Sequence, residues 1–146
     1  AITLGLSLGT LFAMDAGKSN AQITKIILAA SFGDFEDHIE GWKAHRFLKN
    51  FFEPQDTSGT SLVNTLAGIN TAQNIPLLKD KDLFISYSSN DKFIHTEATE
   101  KLITKLRADH VNVVPQLNKG GHFTGILKDY LRFVMHEHDA LKTDPN

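Results

Sequence analysis

The 146-residue chain contains no cysteine. That absence excludes disulfides, thiolate zinc sites and a cysteine nucleophile, although it does not fix the compartment. Charge of one sign is scarce as well. Fifteen Lys and Arg stand against 17 Asp and Glu, for a net charge of −2, and the basic residues are scattered. With no basic stripe, a nucleic-acid partner is not expected. No apolar run approaches the ~20 residues a membrane helix needs, so no membrane span is expected. Internal repeats, low-complexity tracts and an initiator methionine are absent too, and Ala1 opens inside a strand pattern. Any leader would precede Ala1. What remains is 41% hydrophobic and 22% charged, a composition that suits one soluble domain with a proper core.

Four predicted strands alternate with helices. The first is Ala1 to Leu6, followed by a helix from Leu8 to Ala16 that Gly17 is placed to stop. The second, Ile23 to Ala30, holds the run Ile26-Ile27-Leu28-Ala29-Ala30 without alternation. Such a strand is buried on both faces, which predicts a parallel sheet covered by helices. The third spans about Leu83 to Ser88 and the fourth about Val111 to Leu117, where Pro115 suits a sheet edge. Thr96 is predicted to cap a helix with Glu97 and Glu100 near its start and Ala98, Leu102, Ile103 and Leu106 facing the sheet. Phe123, Ile126, Leu127, Tyr130, Leu131 and Val134 form one apolar stripe on a final helix. The tail from Lys142 is polar.

Between Phe32 and Asp80 the chain is longer than a simple connection requires. Ile39, Trp42, Phe47, Leu48, Phe51 and Phe52 sketch an amphipathic helix, Glu53 to Thr60 a loop, and Ser61 to Ile69 a further short helix. Two readings stand side by side: a small lid over a site, at about 34–80, or one packing helix with a long surface loop.

The chemistry begins at Gly5-Leu6-Ser7-Leu8-Gly9, a G-x-S-x-G string between the first strand and the first helix. A turn of this kind lifts a serine hydroxyl above the end of a parallel sheet. The flanking glycines fit a place where strand and helix pass too closely for a Cβ. A serine hydroxyl is a weak nucleophile until a base takes its proton, so a histidine is needed at the same sheet end, with an acid to orient it. Parallel strands all finish at one end, so the loops that follow strands are the places to look.

His122, in Lys119-Gly120-Gly121-His122-Phe123, follows the last strand and is the predicted base. His38 and His45 fall in the insertion, His95 opens a helix, His110 precedes the last strand, and His136 and His138 lie near the end of the final helix. Asp91 closes Tyr87-Ser88-Ser89-Asn90-Asp91 directly after the third strand and is the preferred acid, although an Asn-Asp pair also makes turns. Asp34 and Asp37 follow the second strand, and Asp34 is the alternative acid. Asp80 and Asp82 precede a strand and belong to the opposite end.

With the order Ser7, Asp91, His122 the sequence resembles the α/β-hydrolase superfamily over essentially its whole length, from the serine turn through Ser-Ser-Asn-Asp to Gly-Gly-His-Phe. It is similar to the C-terminal half of such an enzyme: the nucleophile strand and the three strands after it. The resemblance implies that Ser7 is the nucleophile, His122 the general base and then acid, Asp91 its orienter, and the Leu8 backbone N–H one oxyanion donor. It implies a serine hydrolase, esterase- or lipase-like, acting on a small-molecule acyl substrate through an acyl-enzyme, with no cofactor and no metal. The second oxyanion donor and the strands flanking the nucleophile strand belong to an N-terminal half that these residues do not include. The chain is therefore expected to be part of a longer polypeptide and a poor catalyst by itself.

Other signals lead elsewhere. Ala16-Gly17-Lys18-Ser19 is similar to the end of a phosphate-binding loop, but Phe12 stands where the first glycine belongs, and a helix precedes it. Gly5 and Gly9 do not make a dinucleotide fingerprint. His136-Glu137-His138 could touch a metal, but a solvated helix end explains it more simply. A serine at the turn, in place of aspartate, argues against dehalogenase and epoxide-hydrolase chemistry. The competing function is a non-catalytic, hydrolase-like scaffold or binding domain.

Overall fold

A computed structural model of the chain describes residues 1–31, 33, 69 and 71–142. Four strands form one parallel sheet in the order β1-β2-β3-β4: Ile2–Leu6, Lys25–Ala29, Asp82–Ser88 and Asn112–Asn118. Three longer helices flank it, α1 (Gly9–Ser19), α3 (Thr96–Ala108) and α4 (His122–Lys142). A short α2 (Thr71–Asn74) runs into a 3-10 turn at Ile75–Leu78. The predicted α/β class, with about four parallel strands and covering helices, is what the chain adopts.

β2 lies inside the sheet, and Ile26, Ile27, Leu28 and Ala29 are all buried, as its unbroken apolar run requires. Alternation then divides the faces. Ile26, Leu28, Leu83, Ile85 and Val113 join Leu11 and Met14 of α1 and Leu102, Ile103 and Leu106 of α3 in the main core. Phe84, of opposite parity to Leu83 and Ile85, meets Phe133 of α4 edge-on at 5.8 Å. Pro115 lies on β4, the sheet edge, where its missing N–H costs no ladder bond.

Several local expectations are corrected. Gly17 does not stop α1, which continues to Ser19. It is buried where the helix crosses β2, and a Cβ there would lie 2.3 Å from Ile26 Cδ1. Thr96 is not the cap of α3. His95 holds that position without a side-chain bond, and the Thr96 hydroxyl instead donates to the Ser88 carbonyl at 3.4 Å. Thr99 is more deeply buried than Ala98, because its hydroxyl donates to the Ser31 carbonyl at 2.6 Å and ties α3 to the exit of β2.

The largest correction concerns α4. Of the predicted stripe, Ile126 and Tyr130 are half-buried, but Phe123, Leu127, Leu131 and Val134 are exposed. Between His122 and Met135 the buried positions are His122, Gly125, Asp129 and Phe133. The helix thus turns a partly polar face inward. The helices expected within 39–69, apart from Ile69, lie outside the described residues, as does the possible lid at about 34–80 except for residues 69 and 71–80. α2 and the 3-10 turn were not expected; Pro76 opens the turn, and Ile75 and Leu78 are buried beneath it.

Candidate active site

Between β1 and α1 the chain reverses within a few residues. Ser7 takes φ 51°, a left-handed conformation that costs a residue bearing a Cβ about 1–2 kcal/mol. Hydrogen bonds hold it there. Its N–H donates to Ala29 O on β2 at 2.8 Å, and its carbonyl accepts from Thr10 Oγ1 at 2.6 Å and Thr10 N at 3.0 Å. Gly5 is needed for the turn, since a Cβ there would lie 2.6 Å from Gly9 O and from Thr10 Cα, both backbone atoms. Gly9 is different: a Cβ there meets nothing within 4 Å. The expectation that both glycines relieve a clash holds for Gly5 and fails for Gly9.

Asp91 leaves the end of β3 in a tight turn. Its Oδ1 accepts from the N–H groups of Phe93 at 2.8 Å and Ile94 at 2.9 Å, so the side chain is fixed by backbone before it meets any partner. Oδ2 is 2.7 Å from His122 Nδ1. Burial alone would raise this carboxyl, but the bonds from His122, Ile94 and Phe93 and the nearby imidazole charge outweigh it, and the group is held below the usual carboxylate range.

His122 opens α4 from the end of β4 and is 8% exposed. A carboxylate only accepts, so Nδ1 carries the proton it donates to Asp91. In the neutral ring Nε2 is then the acceptor, and Ser7 Oγ lies 3.0 Å from it. Ser7, Asp91 and His122, 115 and 31 residues apart across the two contacts, are brought together at one sheet end. The rings of Phe93 and Phe123 each stand 5.1 Å from the imidazole, centroid to centroid. Sequence reasoning passed over Phe93, whose only signal was its place two residues after Asp91. Leu8 caps α1, at the helix end where the first N–H groups lack intrahelical acceptors.

The remaining candidates lie elsewhere. Asp82 begins β3 at the opposite end and accepts from Asn112 Nδ2 at 2.7 Å, and Asp80 pairs with Lys81 at 3.2 Å. His95 and His110 are exposed at helix ends. Asp34, Asp37, His38 and His45, and the side chains of His136 and His138, lie outside the description. Lys18, in the glycine-lysine-serine string, binds Asp15 at 2.5 Å and Asn74 Oδ1 at 2.7 Å, a clamp between α1 and α2. Among the described residues no cluster of three or more His, Asp or Glu could hold a metal ion, and no helix is long and apolar enough to cross a membrane.

No protein-family model matches the sequence, and the search of curated proteins finds no match. Solved structures do match. An esterase of Pyrococcus furiosus superposes with a TM-score of 0.65 and 18% identity, over 97% of this chain and 52% of that one. A puromycin-hydrolysing peptidase of Mycobacterium tuberculosis gives 0.63 and 12%, over 83% and 18% of the two chains. The capsule O-acetyltransferase of Neisseria meningitidis serogroup A gives 0.62 and 19%, over 91% and 53%. The chain spans about half the length of the esterase it matches. At these identities the likeness is one of architecture: a four-stranded parallel sheet flanked by three helices, consistent with the C-terminal portion of an α/β-hydrolase fold.

Proposed function

We propose that this chain carries the reactive centre of a serine hydrolase that cleaves a carboxylic ester or related acyl compound. The observation that carries the reading is one imidazole bonded on both sides, to Ser7 Oγ at 3.0 Å and to Asp91 Oδ2 at 2.7 Å. A serine held in a left-handed turn beside a nearly buried His–Asp pair is arranged for proton abstraction. The structures of similar fold are named an esterase, a peptidase and an O-acetyltransferase, names that share the breaking or transfer of an acyl bond.

In this reading His122 Nε2 takes the Ser7 proton as Oγ attacks the acyl carbon. Asp91 fixes the tautomer and stabilises the imidazolium. The Leu8 N–H, directed from the start of α1, donates to the developing oxyanion, and such a donor is typically worth ~10²–10³ in rate. His122 then returns the proton to the leaving alcohol as the C–O bond breaks, leaving the acyl group as an ester on Ser7. Water repeats the sequence: it loses a proton to His122, attacks the ester, and the acid departs as Oγ recovers the proton. Phe93 and Phe123 flank the imidazole and suit an apolar group on the substrate.

A fluorophosphonate probe tests the proposal. The folded protein is expected to be labelled on Ser7, and Ser7→Ala to abolish labelling. Folded full-length protein that takes no label would overturn the proposal in favour of a non-catalytic scaffold.

A further inference from the structure

The loop that launches His122 is fastened by a half-buried amide. Asn118, the last residue of β4, accepts two bonds on Oδ1, from the Ser88 hydroxyl at 2.7 Å and from the Gly120 N–H at 2.8 Å. Its Nδ2 donates to Asp129 Oδ2 on α4. Its own carbonyl accepts from Ser89 N at 2.9 Å. Ser88 and Asp129 are only 4% and 3% exposed. The amide can face one way only, because turning it over would set its NH₂ against the Gly120 N–H and its carbonyl oxygen against the Asp129 carboxylate.

The three places this side chain joins are those that locate the reactive groups. Ser88 ends β3, three residues before Asp91. Gly120 stands two residues before His122, and Asp129 seven residues after it, on the helix His122 opens. A second tie runs parallel, from Asn90 Nδ2 to the Lys119 carbonyl at 3.0 Å. Gly125 completes the fit: a Cβ there would lie 2.0 Å from Ser88 Oγ and 2.8 Å from Asn118 Oδ1, so only glycine lets α4 come this close. Buried polar networks are retained at a desolvation cost and rigidify what they join when every member is satisfied. In this one, no member touches the Ser7 hydroxyl or the imidazole, yet all brace the loops that carry Asp91 and His122.

We infer that Asn118 is a positioning residue: it locks the ends of β3 and β4 to α4 so that the His122 ring stays between Ser7 and Asp91. The inference rests on the serine-hydrolase reading above. Asn118 acts through the Gly120-Gly121 segment, and Asp129 acts by holding the amide in its productive orientation.

The test is the rate of fluorophosphonate labelling at Ser7 in the full chain, followed across pH. Asn118→Ala is expected to slow labelling by about 10–100-fold, the scale of an ångström of misplacement at a reacting centre. It should also move the acid limb of the pH–rate profile while the circular dichroism spectrum stays native. Asp129→Leu should act in the same direction, and Asp129→Asn, whose carbonyl still accepts from Nδ2, should recover most of the rate. A purely structural role would lower the melting temperature and leave the profile of the remaining folded protein in place. If Asn118→Ala does not fold, Ser88→Ala, which removes one of the two donors, is read instead and is expected to slow labelling severalfold. Parental rate and profile in the folded variant overturn the inference alone. An unlabelled parent overturns the serine-hydrolase reading, and this inference with it.

Discussion

Asp91 is where burial and hydrogen bonding compete most directly. Its carboxyl is held low by His122 and by the Ile94 and Phe93 N–H groups in spite of burial. Because the folded-state value is depressed, the stability this residue contributes is fully present above the unfolded value, about 3.9. It is lost as pH falls through the lower folded value. Urea melts at descending pH should therefore show an acid limb that is shallower in Asp91→Asn than in the parent. The same substitution removes the acceptor that fixes the His122 tautomer, and turnover is expected to fall on the order of 10⁴-fold. An Asp91→Asn variant with parental turnover would move the acid's role to another residue, Asp34 being the alternative.

The two glycines around Ser7 offer a second residue-scale experiment. A Cβ on Gly5 collides with backbone that cannot step aside, whereas one on Gly9 meets open space. Gly5→Ala is expected to cost about 3 kcal/mol or more, the upper end for overpacking, and to abolish labelling of Ser7. Gly9→Ala should leave both stability and labelling close to parental. Chemical denaturation with labelling at matched folded fraction checks both. Equal damage from the two substitutions would contradict the steric account of the turn.

At the scale of elements, α1 shows why a glycine near a helix end is ambiguous. Hydropathy and turn chemistry read Gly17 as a stop, but its role is set by β2 passing beneath it. Gly17→Ala would gain about 1 kcal/mol of helix propensity and lose about 1–3 kcal/mol to the clash with Ile26. Net destabilisation is expected. Ile26→Val removes the Cδ1 atom that lies 2.3 Å from the new Cβ, so the double variant should be more stable than the sum of the singles. Strict additivity in a double-mutant cycle would contradict this packing.

Elements also show which parts of the candidate site were legible. Ser7, Asp91 and His122 could be picked out because each follows a strand, and parallel strands deliver such loops to one rim. The inward face of α4 could not. Hydrophobic periodicity selects the apolar stripe, yet Asp129 and Gly125 are drawn inside by Asn118 at the end of β4 and Ser88 at the end of β3. A bond between Asn118 and Asp129 leaves no trace in hydropathy. Thr99 was missed at the same level, since its hydroxyl bonds the Ser31 carbonyl, just past β2 and 68 positions earlier.

For the molecule as a whole, the apolar surface is arranged around the sheet in an uneven way. Ile2, Leu4 and Leu6 of β1 are 47%, 39% and 41% exposed, and Leu127 and Leu131 of α4 are 60% and 52% exposed. Among the described residues β1 pairs with β2 alone. An unpaired apolar strand edge is a template for association, and the chain spans about half of the esterase it superposes on. The parallel order of the sheet followed from the unbroken run in β2. The exposed face of α4 was missed because one chain's pattern cannot say which apolar stripe the chain itself will cover.

The central claim is that Ser7 accepts an acyl group, and trapping that ester tests it most directly. The folded full-length protein is mixed with a p-nitrophenyl ester, quenched in acid, and its peptides are weighed. The expected result is one acyl mass on the peptide containing Ser7, formed with an equivalent of released nitrophenol and absent in both Ser7→Ala and His122→Ala. An unmodified Ser7 peptide from folded protein, or an adduct that persists in Ser7→Ala, would contradict the account.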